Sequence, residues 1–172
     1  MALTIVWSEF LQAHQGLGID AFLEQVSVPY LLVLPDTSSL DDSSMGIETL
    51  HDLSESKVDA LAAPAMFRYA IPLTKSENSN PFGHMLTVGR AANNDLVLKS
   101  KLVSKFHAYF RQLGSSWSLC DASSSNGTYL NGSKLAPERS RPLKSGDQVG
   151  FGKDITTLFL LPEALFELLA QS

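Results

Sequence analysis

The residues of this chain that can do chemistry are concentrated between Val88 and Gly132. In order they are Gly89-Arg90, Ser104-Lys105 with His107 close behind, and Ser125-Asn126-Gly127-Thr128, with Asn131-Gly132 following. An arginine offers a flat fork of donors and a lysine a compact point charge. Serine hydroxyls and an asparagine amide add neutral donors and acceptors. These groups suit an anion with several acceptor oxygens, phosphate above all. The short apolar runs between them read as strands, so the polar groups fall on turns carried by a rigid scaffold.

The scaffold follows from the apolar runs. Arg68 to Leu73, Met85 to Val88, Asp95 to Leu98, His107 to Leu113, Trp117 to Cys120, Thr128 to Leu130, Ser133 to Leu135, Gln148 to Phe151 and Thr156 to Leu161 all have strand length. In the His107–Leu113 run, Ala108, Phe110 and Gln112 alternate with Tyr109, Arg111 and Leu113. Asn131-Gly132 suits a type I′ turn, because both residues tolerate positive φ. Pro72 puts its run at a sheet edge or a strand end. Many short strands with closely spaced turns predict an all-β sandwich.

The order Gly-Arg, Ser-x-x-His, Asn-Gly-Thr, Asn-Gly, with strand-like segments between, resembles the forkhead-associated (FHA) domain, a phosphothreonine-recognition module. The resemblance runs from Phe67 to Leu161. It implies an FHA-like β-sandwich and non-catalytic binding of a phosphothreonine-containing protein, a Ser/Thr kinase or its substrate among the candidates. It implies that Arg90 contacts the phosphate and that Ser104 donates to it. Lys105 and Ser125 are placed near it, and Asn126 holds the peptide backbone. His107 supports the serine loop. The preference for phosphothreonine over phosphoserine is carried by the same resemblance. The alternative is a phosphate-independent interaction scaffold that keeps the fold. Gly89 and Gly127 read as backbone requirements, and Asn94 and Asp95 as turn formers.

The flanks divide the chain into residues 1–66, an acidic and partly helical extension; 67–161, the sandwich; and 162–172, a closing helix with Pro162 at its first position. In the extension Ser8 and Asp20 are expected to cap two short helices. Tyr30–Leu34 is a strand-length run, Thr37–Met45 reads as a tether, and Ile47–Ala63 leans helical, with Ser56 and Asp59 as a variant capping box. Thr49 has Asp52 three residues on, and Thr37 has Leu40; either threonine, once phosphorylated, is a candidate ligand for the basic part of the chain.

Composition excludes several functions. The net charge is −5, and up to Met66 the only Lys or Arg is Lys57, whereas the sandwich region is basic. That asymmetry suits an anionic partner for the basic part. No dense basic–aromatic interleaving points to nucleic acid. The four histidines and the single Cys120 lack metal-ligand spacing, and no cofactor fingerprint is present. Ser104, His107 and Asp121 can be lined up as a hydrolase triad, but the chain lacks a Gly-x-Ser-x-Gly elbow, and no enzyme is expected. One cysteine, no basic leader and no apolar run of about 20 residues predict a cytoplasmic protein with no membrane attachment.

Overall fold

The computed structural model describes residues 4–35, 67–76 and 82–171. Thr37, Thr49, the Ile47–Ala63 segment and the Ser56–Asp59 box lie outside them. In chain order the elements are β1 (Ile5–Val6), α1 (Trp7–His14), α2 (Ile19–Gln25), β2 (Tyr30–Val33), β3 (Tyr69–Pro72), β4 (Met85–Gly89) and β5 (Leu96–Val97). Then come β6 (Ala108–Leu113), β7 (Ser116–Asp121), β8 (Thr128–Leu130), β9 (Ser133–Lys134), β10 (Arg141–Leu143), β11 (Gln148–Phe151), β12 (Ile155–Leu160) and α3 (Pro162–Ala170).

Two sheets face each other. One has the order β1-β3-β2-β12-β11-β8-β9 and the other β10-β7-β6-β4-β5. All pairs among the described residues are antiparallel except β4 with β5. The expected sandwich is present, with helices before and after it. The seven-stranded sheet, however, takes β1 and β2 from residues before Phe67. Tyr30–Val33, read on sequence as part of an extension, is an interior strand between β3 and β12. Its unbroken apolar run has a physical reason: it is buried on both faces. Leu31 points into the sandwich, while Tyr30 and Leu32 join a second core on the outer side.

The inner core holds Phe110, Leu119, Val149, Phe151 and Phe159, fed by alternate positions of both sheets. The second core packs Trp7, Phe10, Phe22, Leu165 and Leu168 of the three helices onto the outer face of the seven-stranded sheet. Aromatic pairs fill it, among them Trp7 with Phe10 at 5.7 Å and Phe10 with Tyr30 at 5.1 Å.

Local details follow from residue type. Asn131 and Gly132 have φ of 50° and 77°, as the type I′ hairpin between β8 and β9 requires. Pro72 ends β3 beyond the reach of β1, so its missing N–H costs no ladder bond there. Pro162 occupies the start of α3. Neither Ser8 nor Asp20 is an N-cap. Val6 and Gly18 hold those positions without side-chain bonds, and Asp20 sits inside the first turn of α2, where its charge suits the helix dipole. Two strands escaped the sequence reading, β1 and β10. One is two residues long, and the other is an edge strand with a proline in its middle.

Candidate functional site

One end of the sandwich gathers three loops: residues 90–95 after β4, residues 98–107 between β5 and β6, and residues 122–127 between β7 and β8. The last of these crosses from the five-stranded sheet to the seven-stranded one. The first two loops are locked by backbone bonds. Arg90 N–H donates to the Ser104 carbonyl at 2.9 Å, and Ala91 N–H to the Lys105 carbonyl at 3.1 Å. Such close approach explains Gly89, where a methyl group would lie 2.3 Å from the Lys105 carbonyl oxygen. Asn94, buried, completes the clamp by donating Nδ2 to the carbonyls of Ala91 and Lys105 at 2.8 and 2.7 Å. Asp95 is a buried anchor rather than a turn former alone. It accepts from Thr87 N–H, Thr87 Oγ1 and Ser76 N–H, and it pairs with Lys75 at 3.0 Å. Lys75 is therefore one base of the sandwich region whose charge is answered internally.

His107 ties the second loop to the third. Its ring is 0% exposed. Nδ1 lies 3.0 Å from Ser104 N–H, and Nε2 lies 3.0 Å from the Gly127 carbonyl. A backbone N–H can only donate, so Nδ1 is the acceptor and Nε2 carries the proton. The neutral ring is thereby fixed in one tautomer. Burial lowers its pKa from the ordinary 6.5, against opposing contributions from the Gly127 carbonyl and the acidic Asp121 and Asp154. Gly127 has φ of 87°, and its carbonyl also accepts from Gly152 N–H at 3.0 Å, so this residue joins His107 to the turn after β11.

The third loop is organised by Asp121, 1% exposed. Its carboxylate accepts from Thr128 Oγ1 at 2.6 Å, from Ser124 Oγ at 2.5 Å and from Ser124 N–H at 3.1 Å. Ser124 Oγ in turn accepts from Gly127 N–H. This network holds Ser125 and Asn126 outward. Sequence reasoning took up Asp121 only as a triad partner. The usable signal was an acid followed by small hydroxyl residues at the third and seventh positions, a local side-chain-to-backbone pattern.

The site residues expected from the sequence stand together on these loops. Arg90 is exposed and donates Nε to the Val103 carbonyl at 3.2 Å, which leaves the far edge of its guanidinium facing outward. Ser104 Oγ accepts Ser125 N–H at 3.0 Å and lies 3.4 Å from Ser125 Oγ. Lys105 and Ser125 are exposed. Asn126 donates Nδ2 to the Leu102 carbonyl at 2.8 Å, leaving its side-chain oxygen uncommitted to that bond. Chemically, this is an exposed patch of a guanidinium, an ammonium, two hydroxyls and an amide on a stiff frame, suited to an anion. No Ser–His–Asp relay is assembled: His107 meets the Ser104 backbone instead of its hydroxyl, and Asp121 bonds Ser124 and Thr128. Cys120 is buried, and burial raises its thiol pKa, which disfavours the reactive thiolate. Among the described residues no three His, Cys, Asp or Glu side chains are placed to hold a metal ion. Among them, too, no helix is long and apolar enough to cross a membrane.

The family model described as the FHA domain matches residues 86–152. The oxoglutarate dehydrogenase inhibitor of Corynebacterium diphtheriae is 42% identical over 67 residues, 39% of this chain and 45% of that protein. The glycogen accumulation regulator GarA of Mycolicibacterium smegmatis is 39% identical over 67 residues, 39% of this chain and 40% of that one. The chain thus spans less than half the length of these relatives. The solved structure of Mycobacterium tuberculosis EmbR in complex with a low-affinity phosphopeptide is 28% identical, with TM-score 0.42, over 45% of this chain and 20% of that chain. The family match covers the three loops and the strands that carry them, so residues 86–152 of this chain are similar to the FHA domain.

Proposed function

We propose that the chain is a non-catalytic module that binds a phosphothreonine peptide in Ser/Thr-kinase signalling. The observation that carries this reading is the convergence of Arg90, Ser104, Lys105, Ser125 and Asn126 at one end of the sandwich, on loops held by buried polar cross-links. A phosphate dianion offers three strong acceptor oxygens and takes about 1–3 charge-assisted bonds from such a cluster. In this reading Arg90 supplies the bidentate fork, and Ser104 and Ser125 turn their hydroxyl protons from each other to the phosphate. Lys105 adds charge, and Asn126 pairs the ligand backbone through its free oxygen.

The test is calorimetry with a phosphothreonine peptide, its phosphoserine analogue and its unphosphorylated twin. Binding is expected for the first, weaker binding for the second and none for the third. Arg90→Ala is expected to remove most of the binding and to leave unfolding unchanged within about 0.5 kcal/mol, as for an exposed side chain. Arg90→Lys is expected to keep only part of the affinity, since an ammonium cannot give the fork geometry. Equal binding of the phosphorylated and unphosphorylated peptides would instead mark the chain as a phosphate-independent scaffold.

A further inference from the structure

A cation that the sequence motifs did not single out borders the same end. β8 and β9 pair Tyr129 with Lys134, so both side chains stand on the outer face of the seven-stranded sheet. Tyr129 Oη donates to the Asn126 carbonyl at 3.3 Å, which brings that face to the edge of the loop carrying Ser125 and Asn126. A methyl group on Gly127 would lie 2.4 Å from Lys134 Cε and 3.2 Å from both Cδ and Nζ. The lysine stem therefore occupies the space that the absent Gly127 side chain leaves. Its ammonium is set beside Gly127, one residue past Asn126 and two past Ser125. Lys134 is exposed, so the charge stays in water while the stem is packed.

We propose that Lys134 is a specificity-determining residue of the ligand site, which favours peptides with a carboxylate close to the phosphothreonine. The inference rests on the reading that this end binds a phosphopeptide. Arg90 and Lys105 come from loops of the five-stranded sheet, whereas Lys134 comes from the seven-stranded one. In the proposed reading the first two suit the phosphate, and the third lies beyond Asn126, the residue assigned there to the peptide backbone. An extended peptide advances about 3.3 Å per residue. A carboxylate within about three residues of the phosphothreonine is therefore in reach of an ammonium so placed. A packed stem also lowers the ordering cost that a free surface lysine meets on pairing.

The experiment uses the full chain and phosphothreonine peptides that differ only in carrying Glu, Ala or Lys at each of the three positions on either side. Calorimetry is run on the wild type, Lys134→Met, Lys134→Glu and Lys144→Met. Lys144 is exposed and follows β10 at the opposite end of β11, so it controls for net charge. The wild type is expected to prefer Glu over Ala at one position by about two- to fivefold, the range of an exposed ion pair, and to lose that preference in high salt. Lys134→Met should erase the preference while binding the Ala peptide as before. Lys134→Glu should favour the Lys peptide, and Lys144→Met should change nothing. Phosphopeptide binding with a charge preference that survives both Lys134 variants, or with no preference at all, overturns the role of Lys134 alone. No binding of any phosphopeptide by the wild type overturns it together with the reading of the site.

Discussion

The helical layer on the seven-stranded sheet and the loop end of the sandwich are held in place by different forces. On its outer face three helices are packed by apolar and aromatic side chains, with Phe10, Phe22 and Leu165 almost wholly buried. At the loop end the buried side chains are polar, and their partners are mostly backbone: Asn94 to Ala91 and Lys105, His107 to Ser104 and Gly127, Asp121 to Ser124 and to the Thr128 hydroxyl. Apolar burial is strong but non-directional, so it fixes that a helix docks and tolerates small shifts. A hydrogen bond to a particular carbonyl is weaker in net free energy but sets a position within a few tenths of an ångström. The proposed binding patch, with five groups in fixed geometry, needs the second kind of support.

That contrast can be broken or sharpened by removing one member of each set. The largest loss of stability is expected for Phe22→Ala in the helical layer, about 3–5 kcal/mol for a fully buried phenylalanine. Urea unfolding measures it, and under conditions where the variant stays folded its phosphopeptide affinity should equal that of the wild type. Affinity falling in step with stability would mean that the helical layer also positions the loops.

Asp121→Ala is expected to cost less, about 1–3 kcal/mol, from the unpaired Ser124 and Thr128 groups left behind. Its effect on binding should be the greater of the two, because Ser125 and Asn126 lose the network that holds them outward. Comparing unfolding midpoints with calorimetric affinities for both variants decides the matter. A binding loss no greater than that of Phe22→Ala would make the loop network ornamental.

The smallest effect is a pH dependence from His107. Its folded pKa lies below the ordinary 6.5, so the unfolded chain takes up the proton more readily. The stabilisation is complete above pH 6.5 and is lost progressively as the pH falls from there through the folded value. Protonation also destroys the Nδ1 acceptor that holds Ser104 N–H, so binding should weaken in the same range. His107→Ala should unfold more readily and bind less well at neutral pH, and it should lack this histidine's share of the acid sensitivity. Unfolding curves at several pH values for both proteins provide the check. An unchanged slope would show that His107 is not the titrating group.

Much of the sandwich was legible in the sequence because strands announce themselves locally. The strand over His107–Leu113 and the Asn131-Gly132 hairpin each depend on a few neighbouring residues, and each stands where it was expected, although burial along that strand runs from a buried first half to an exposed second half and does not alternate. The candidate site residues were singled out for another reason: their types, order and spacing resemble those of a known family. Neither route exposed the partners that make the site stiff. Asn94 meets Lys105 across 11 positions, His107 meets Gly127 across 20, and Asn126 meets Leu102 across 24. No local pattern reports such pairings, since they exist only once two sheets have brought their loops to one end.

The same reasoning separates the rest of the chain. From the sequence alone came the sandwich class, the closing helix at Pro162, the acidic character of the first third and the set of groups available to an anion. Tertiary structure decided that Tyr30–Val33 belongs inside the seven-stranded sheet. Its apolar run is equally compatible with any buried strand, and only its pairing with β3 and β12 assigns it. Tertiary structure likewise chose the tautomer of His107, gave Asp121 to the loop instead of a relay, and laid Lys134 over Gly127. The first two depend on which group stands within about 3 Å of a side chain, the range in which a hydrogen bond forms, and the third on which stem fills the space that Gly127 leaves; residue order alone sets neither.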